Sequence, residues 1–373
     1  MKIRLQMRTA RKPFWAGLLW LLCWSGWAGA TDYSMQMEKA ASSLLLDVAA
    51  AGERLVAVGE RGHILYSNDQ GASWVQATVP TSVMLTRVFF ISADLGWAVG
   101  HDGNILISQD GGVNWDLQRD GVSDQARINE ERLARARQEL RALRERLDST
   151  GDEDEEREDL EFELEEAEYR ADVARQVMEE PVYAPPLMDI WFANEEQGFA
   201  SGAYGTLLHT ANGGRHWDDW SHKVDNPEEL HLNGVVGGPD GNVYLASEWG
   251  YVFRSTSGLD SWEVVETGYD GSFFGVLVSP LSGSVFAYGL LGTVYRSSDS
   301  GENWEELQSM ARGSLFGGHI SSEGAIVLAG QGGTVVRSED DGDSFVPLPQ
   351  ASRRGLHGIA PTAGGGYVVT CLL

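Results

Sequence analysis

Six times in this chain a short phrase returns, of the form Ser-x-Asp-x-Gly-x-Ser-Trp. The fullest copy runs from Ser67 to Trp74, with Asp69 and Gly71 in its third and fifth places. Others run Ser108 to Trp115 (Asp110, Gly112), Thr210 to Trp217 (Gly214), Ser255 to Trp262, Ser297 to Trp304 (Asp299, Gly301) and Ser338 to Phe345 (Asp340, Gly342). The closing aromatics lie 41, 102, 45, 42 and 41 residues apart. The one long interval becomes ordinary once an insertion of about 60 residues is removed from it. A period of about 40–45 residues with several strands per unit is the signature of a ring of stacked sheets, a β-propeller.

Each unit reads as an apolar strand, a turn, a second strand, a Gly-x-x-Gly turn, a third strand, the Asp-containing phrase and a fourth strand. In the second unit these are Leu85 to Ile91, Gly96 to Gly100, Ile105 to Ser108 and Trp115 to Gln118. One such sheet cannot bury both faces, so neighbours must stack around an axis. Units begin near Leu45, Leu85, Leu187, Leu232, Phe273, Leu315 and Leu356. The expectation is an all-β, seven-bladed propeller of four-stranded antiparallel blades, the last blade incomplete, with residues 32–44 as candidates for its outer strand. The organisation expected is 1–30 signal peptide, 31–120 blades 1 and 2, 121–184 an inserted helical hairpin, and 185–373 blades 3 to 7.

The recurring phrase is the Asp-box, or BNR repeat. Its Asp accepts backbone N–H groups across a hairpin, its Gly permits positive φ, and its aromatic packs between sheets. Asp69, Asp110, Asp299 and Asp340, together with the aromatics Trp74, Trp115, Trp217, Trp262, Trp304 and Phe345, are therefore read as structural, because they recur blade after blade. The fourth copy decays, with Ser257 in the Asp place and Leu259 in the Gly place.

Residues 1–30 read as an export signal. Lys2, Arg4, Arg8, Arg11 and Lys12 precede the apolar stretch Phe14 to Trp27, and Ala28-Gly29-Ala30 supplies the small residues of a cleavage site. Removing its five basic residues takes the net charge from −27 to −32. Such a polyanion is a poor binder of nucleic acid or anionic lipid, and its charge says nothing against a partner with a basic patch. Of the two cysteines, Cys23 and Cys371, only Cys371 would persist, which leaves no intramolecular disulfide. The eight histidines show no ligand spacing and no Cys pair accompanies them, so no metal or cofactor is expected.

Within the insertion, Leu133, Ala136, Leu140, Leu143 and Leu147 alternate steps of three and four. So do Leu160, Leu164, Ala167, Ala171, Ala174 and Met178. That is the seam of an antiparallel coiled-coil hairpin turning at Ser149 to Asp152. The first helix carries seven arginines from Arg127 to Arg146 and the second is dominated by acids, so each should attract the other. An arm this long is expected to engage a partner or a second copy.

In a meander, the turn between strands two and three shares a face with the link to the next blade. The Asp-boxes lie opposite. Variable residues on that shared face are the expected partner-binding surface. They are Glu60 and Arg61, His101 and Asp102, Tyr204, Glu248 and Trp249, Leu290 and Leu291, and Gln331. Trp249 is the sharpest of them, since it occupies a turn position.

The run Leu-x-x-Val…Gly-Trp-Ala-Val-Gly-x-x-Gly-x-Ile-x-x-Ser-x-Asp-x-Gly-x-x-Trp, from Leu85 to Trp115, resembles the photosystem II stability/assembly factor-like family. So does its near copy from Leu45 to Trp74. The resemblance covers residues 43–120 and 187–370. It implies an exported, non-catalytic propeller that scaffolds assembly of a membrane protein complex, in the periplasm or the thylakoid lumen of a phototroph. Photosynthetic members use an arginine-rich face. Here the turns hold Arg61 alone, while Arg254, Arg296 and Arg337 recur on the third strands and are expected to meet the next blade's acids. The alternative is a sialidase-like glycoside hydrolase or glycan-binding propeller, for which Tyr204 with Glu248 is the nearest tyrosine–carboxylate pair.

Overall fold

The computed structural model describes residues 32–151, 156–255, 259, 261–349 and 353–371. The signal-peptide reading (1–30) and Ser257 lie outside the described residues. Six sheets are four-stranded antiparallel meanders and a seventh has two strands. Their innermost strands are Leu45–Ala51, Leu85–Phe90, Leu187–Phe192, Leu232–Gly237, Phe273–Val278, Leu315–Ile320 and Leu356–Pro361. Each begins at an apolar residue that the sequence marked as the start of a unit.

The core lies between blades. Trp97 of blade 2 stacks on Phe192 of blade 3 at 3.6 Å, within a cluster that includes Val99, Ile105, Leu187 and Trp217. The ring closes by packing: Val327 and Val335 of blade 6 meet Leu356 and Ile359, and Ala360 meets Val48 and Leu55 of blade 1. Gly364 N–H donates to the Gln70 side chain at 3.0 Å across the same seam.

Residues 32–44 do not add a strand to blade 7, correcting that expectation. They cross blade 1 instead, where Ser34 N–H donates to Val79 O (2.9 Å) and Met37 N–H to the Gln76 side chain (2.9 Å). Blade 1's outer strand is only Val75–Gln76, and the incoming chain bonds to the Gln76 side chain and to the backbone just beyond that strand, where Gln36 Nε2 also donates to Ala77 O.

In the Asp-boxes of blades 1, 2, 5 and 6 the carboxylate closes a small ring. Asp69 accepts from Ser67 Oγ, Ser73 N–H and Ser73 Oγ, and this set holds its pKa at about 2. Asp299 and Asp340 repeat the arrangement at about 2. In blade 3 Asn212 replaces the Asp and accepts from His216 N–H. Leu259, in the Gly place of blade 4, carries φ +62°.

The insertion is a helical hairpin of α1 (Gly121–Ser149) and α2 (Glu156–Val177). Asp120 caps α1 by accepting from Val122 and Ser123 N–H. Leu140, Leu143 and Leu147 meet Leu160, Leu164 and Ala167 in antiparallel order. Only part of the arginine run serves the hairpin: Arg144 pairs with Glu168 (2.7 Å) and Arg146 with Glu156 (2.9 Å). Arg132 and Arg135 instead reach Asp219 on the outer strand of blade 3, and Arg127 donates to Trp217 O. Ile128, 1 % exposed, fills the wedge between blades 2 and 3. The helix from Gly121 to Arg135 is thus docked, and the remaining 14 residues of α1 carry the hairpin about 20 Å farther.

Candidate functional site

The Gly-x-x-Gly turns crown one face of the ring, beside the links between blades. Their tightness follows from backbone contact. A Cβ at Gly59 or Gly100 would meet the carbonyl oxygen of Leu44 or Met84 at 2.1 Å, the residue just before the blade's own inner strand. Blade 4 has Ser247 there, whose Oγ donates to His231 O.

The third residue of every turn is left-handed. Arg61, Asp102, Tyr204, Trp249 and Leu291 all lie at φ between 54° and 59°, and blade 6 has Gly332 at 70°. For a residue with a Cβ this conformation costs about 1–2 kcal/mol. Glycine is the relaxed choice, yet five blades carry a side chain there, exposed in every case. Tyr204 is 54 % exposed, Trp249 52 % and Leu291 74 %.

The crown is chemically sectored. Blades 1 and 2 present Glu60, Arg61, His101 and Asp102; the Glu60 carboxylate is engaged by Leu44 N–H. Blades 3 and 4 are aromatic: Tyr204 stands edge-on to His231 and to Tyr183, which follows α2, and Trp249 stands edge-on to Tyr251. Blade 5 is apolar, with Leu290, Leu291 and the exposed Met310 of the following link. Gln331 is exposed on blade 6.

Three features escaped sequence reasoning. The links after blades 5 and 6 bring Arg312 and Arg353, both exposed, to this face. At the channel mouth Phe274, Phe316 and His357 form a partial stack, with centroids 5.3 and 5.1 Å apart. On the axis, Arg87 of blade 2 lies 2.9 Å from Asp189 of blade 3 and 3.6 Å from Asp47 of blade 1. Each Asp also accepts a backbone N–H from the next blade, Val88 to Asp47 and Val235 to Asp189. Burial pushes both carboxyls upward against the pull of Arg87, and it raises the Tyr288 hydroxyl beside them to about 12. Aligned, the third residue of the seven inner strands reads Asp47, Arg87, Asp189, Gly234, Gly275, Gly317, Gly358, a signal present in the repeats.

The tyrosine–carboxylate pair does not assemble. Glu248 accepts from His231 N–H at 2.9 Å, and no hydrogen bond joins it to Tyr204 among the described residues. The strand arginines are engaged too: Arg254 holds Ser300 O and Glu302, and Arg296 holds Asp341 O and Asp343, all in the next blade's Asp-box. No group of three potential metal ligands gathers among the described residues.

Fold and crown define an Asp-box β-propeller with a docked helical arm and a face of exposed, left-handed turn residues. Residues 171–327, from the end of α2 into blade 6, match the family model described as photosynthesis system II assembly factor YCF48. Over that stretch the chain is similar to the photosystem II assembly factor family. Among solved structures it is similar to YCF48 bound to D1 peptide, at 14 % identity and TM-score 0.59, covering 91 % of this chain and 94 % of that one. It is similar to YCF48 from Cyanidioschyzon merolae at 14 % identity and TM-score 0.54, over 88 % and 92 % of the two chains. The WD40 propeller domain of Doa1 matches at 11 % identity and TM-score 0.57, over 92 % and 93 %. At these identities the structural likeness is one of fold. No curated protein matches the sequence.

Proposed function

We propose that this is an exported, non-catalytic propeller that holds a polypeptide segment of a membrane-protein client on its crown during assembly of a membrane complex. The compartment would be the periplasm, or the thylakoid lumen in a phototroph. The observation that carries the reading is the exposed, left-handed Trp249 and Leu291. Conformational strain kept at solvent-facing apolar side chains points to recognition, since it contributes nothing to folding. The family-model match over residues 171–327 supports it, as does the similarity in fold to YCF48 bound to D1 peptide. Among the described residues no helix is long and apolar enough to cross a membrane.

The test is affinity capture from detergent-solubilised membranes with the parent chain, Trp249→Ala and Leu291→Gly. The glycine variant removes the side chain while giving the turn the residue that prefers its φ of 59°, so its melting temperature should hold. Both variants should lose the client. If they retain the same complex as the parent, the crown is not the binding surface.

A further inference from the structure

The arm carries a second apolar face that the crown does not explain. With Leu160, Leu164 and Ala167 turned onto α1, the opposite side of α2 presents Phe162 (64 % exposed), Tyr169 (72 %) and Val173 (40 %). At 100° per residue these three fall within about 40° of one another and about 180° from the seam. A helix that needed only to pair with α1 would be polar there.

Carboxylates frame the stripe. Glu158 and Asp159 stand one turn before Phe162, and Glu165 and Glu166 one turn after it. The latter pair precedes Tyr169, which Asp172 follows. Glu158, Asp159 and Glu165 form no ion pair with any described residue, whereas Glu166 and Asp172 are partly neutralised by Arg170 and Arg175. Two aromatic anchors are thus set among uncompensated negative charges.

We propose that this face docks an amphipathic helix of a partner protein whose apolar stripe is flanked by lysine and arginine. Cations on that helix meet Glu158, Asp159 and Glu165 and stack on the aromatic faces, while its apolar side chains cover Phe162, Tyr169 and Val173. A second copy of α2 would bring carboxylate rows together. The outward side of α1 offers no exposed large apolar residue among those described except Val122 at its root. An anionic lipid surface would be repelled. The inference stands independently of the crown.

The experiment uses the full chain and a fluorescent helical peptide of about five turns with a leucine stripe flanked by lysines. The comparison peptide has the same composition, scrambled so that no stripe forms. Anisotropy should report binding of the striped peptide, weaker for the scrambled one and falling with salt. Phe162→Ser with Tyr169→Ser should weaken it at least about tenfold. Glu158→Gln with Glu165→Gln, which leaves the stripe intact, should weaken it and flatten the salt dependence. These positions are exposed, so thermal melts should be unchanged. No binding, or equal binding by the scrambled peptide or by the serine variant, would overturn the proposal. So would concentration-dependent dimerisation that the serine variant abolishes, since the occupant would then be a second copy.

Discussion

Replacing Arg87 by leucine removes the cation that stands between two buried carboxylates on the propeller axis. The guanidinium lies 2.9 Å from Asp189 and 3.6 Å from Asp47, whose side chains are each 8 % exposed. Breaking a buried pair by deleting one partner costs about 3–5 kcal/mol. Two features put this case at the lower end: Arg87 itself is 26 % exposed, and both carboxylates keep backbone N–H donors. The expected loss is therefore about 3 kcal/mol near pH 7.5. It should depend on pH in a definite direction. Burial already raises both carboxyl pKa values above the unfolded value of about 3.9, and losing Arg87 raises them further. In that window the native state binds more protons than the unfolded one, so stability falls as pH rises and recovers as pH is lowered. Urea unfolding followed by tryptophan fluorescence near pH 7.5 and near pH 5.5 measures both. Adding Asp47→Asn should restore part of the loss. A deficit under about 1 kcal/mol, or one that widens on acidification, would refute the reasoning.

Two further expectations concern the arm and the repeats. Ile128→Ala should cost about 2–5 kcal/mol and raise amide hydrogen exchange over residues 121–135, because the side chain fills the wedge between blades 2 and 3. Unchanged exchange there would mean that the arginine contacts alone hold the arm. Carboxyl NMR should find Asp69, Asp299 and Asp340 titrating near 2. Their depressed values stabilise the fold above the ordinary carboxylate range, and that contribution is lost as pH falls through about 2; titration near 4 would contradict the hydrogen-bonded rings.

The repeat period by itself determined the architecture, because a sheet that exposes two apolar faces at fixed spacing has no alternative to stacking. The Asp-box chemistry was legible for the same reason: its donors and acceptor lie within a few residues, as from Ser67 to Ser73. The distal part of the hairpin seam, Leu140 to Leu147 against Leu160 to Ala167, was readable from its three-and-four steps, whereas Met178, expected on it, lies past the end of α2 and is exposed. What the sequence withheld is everything that depends on contacts between distant blades. The left-handed crown became visible only when five turns proved to share one backbone conformation. Arg87 meets Asp189 across 102 positions of chain, and Arg132 meets Asp219 across 87; no local pattern fixes either partner. The seven arginines of α1 predicted attraction to α2, yet three of them hold the propeller or its edge, because the helix had to be anchored before it could project. Residues 32–44 lie on blade 1, held by the Val79 carbonyl and the Gln76 side chain, a contact that no local pattern fixes. Local periodicity encodes which elements form and how they repeat, whereas the side chains those elements bring face to face are decided by the closure of the ring.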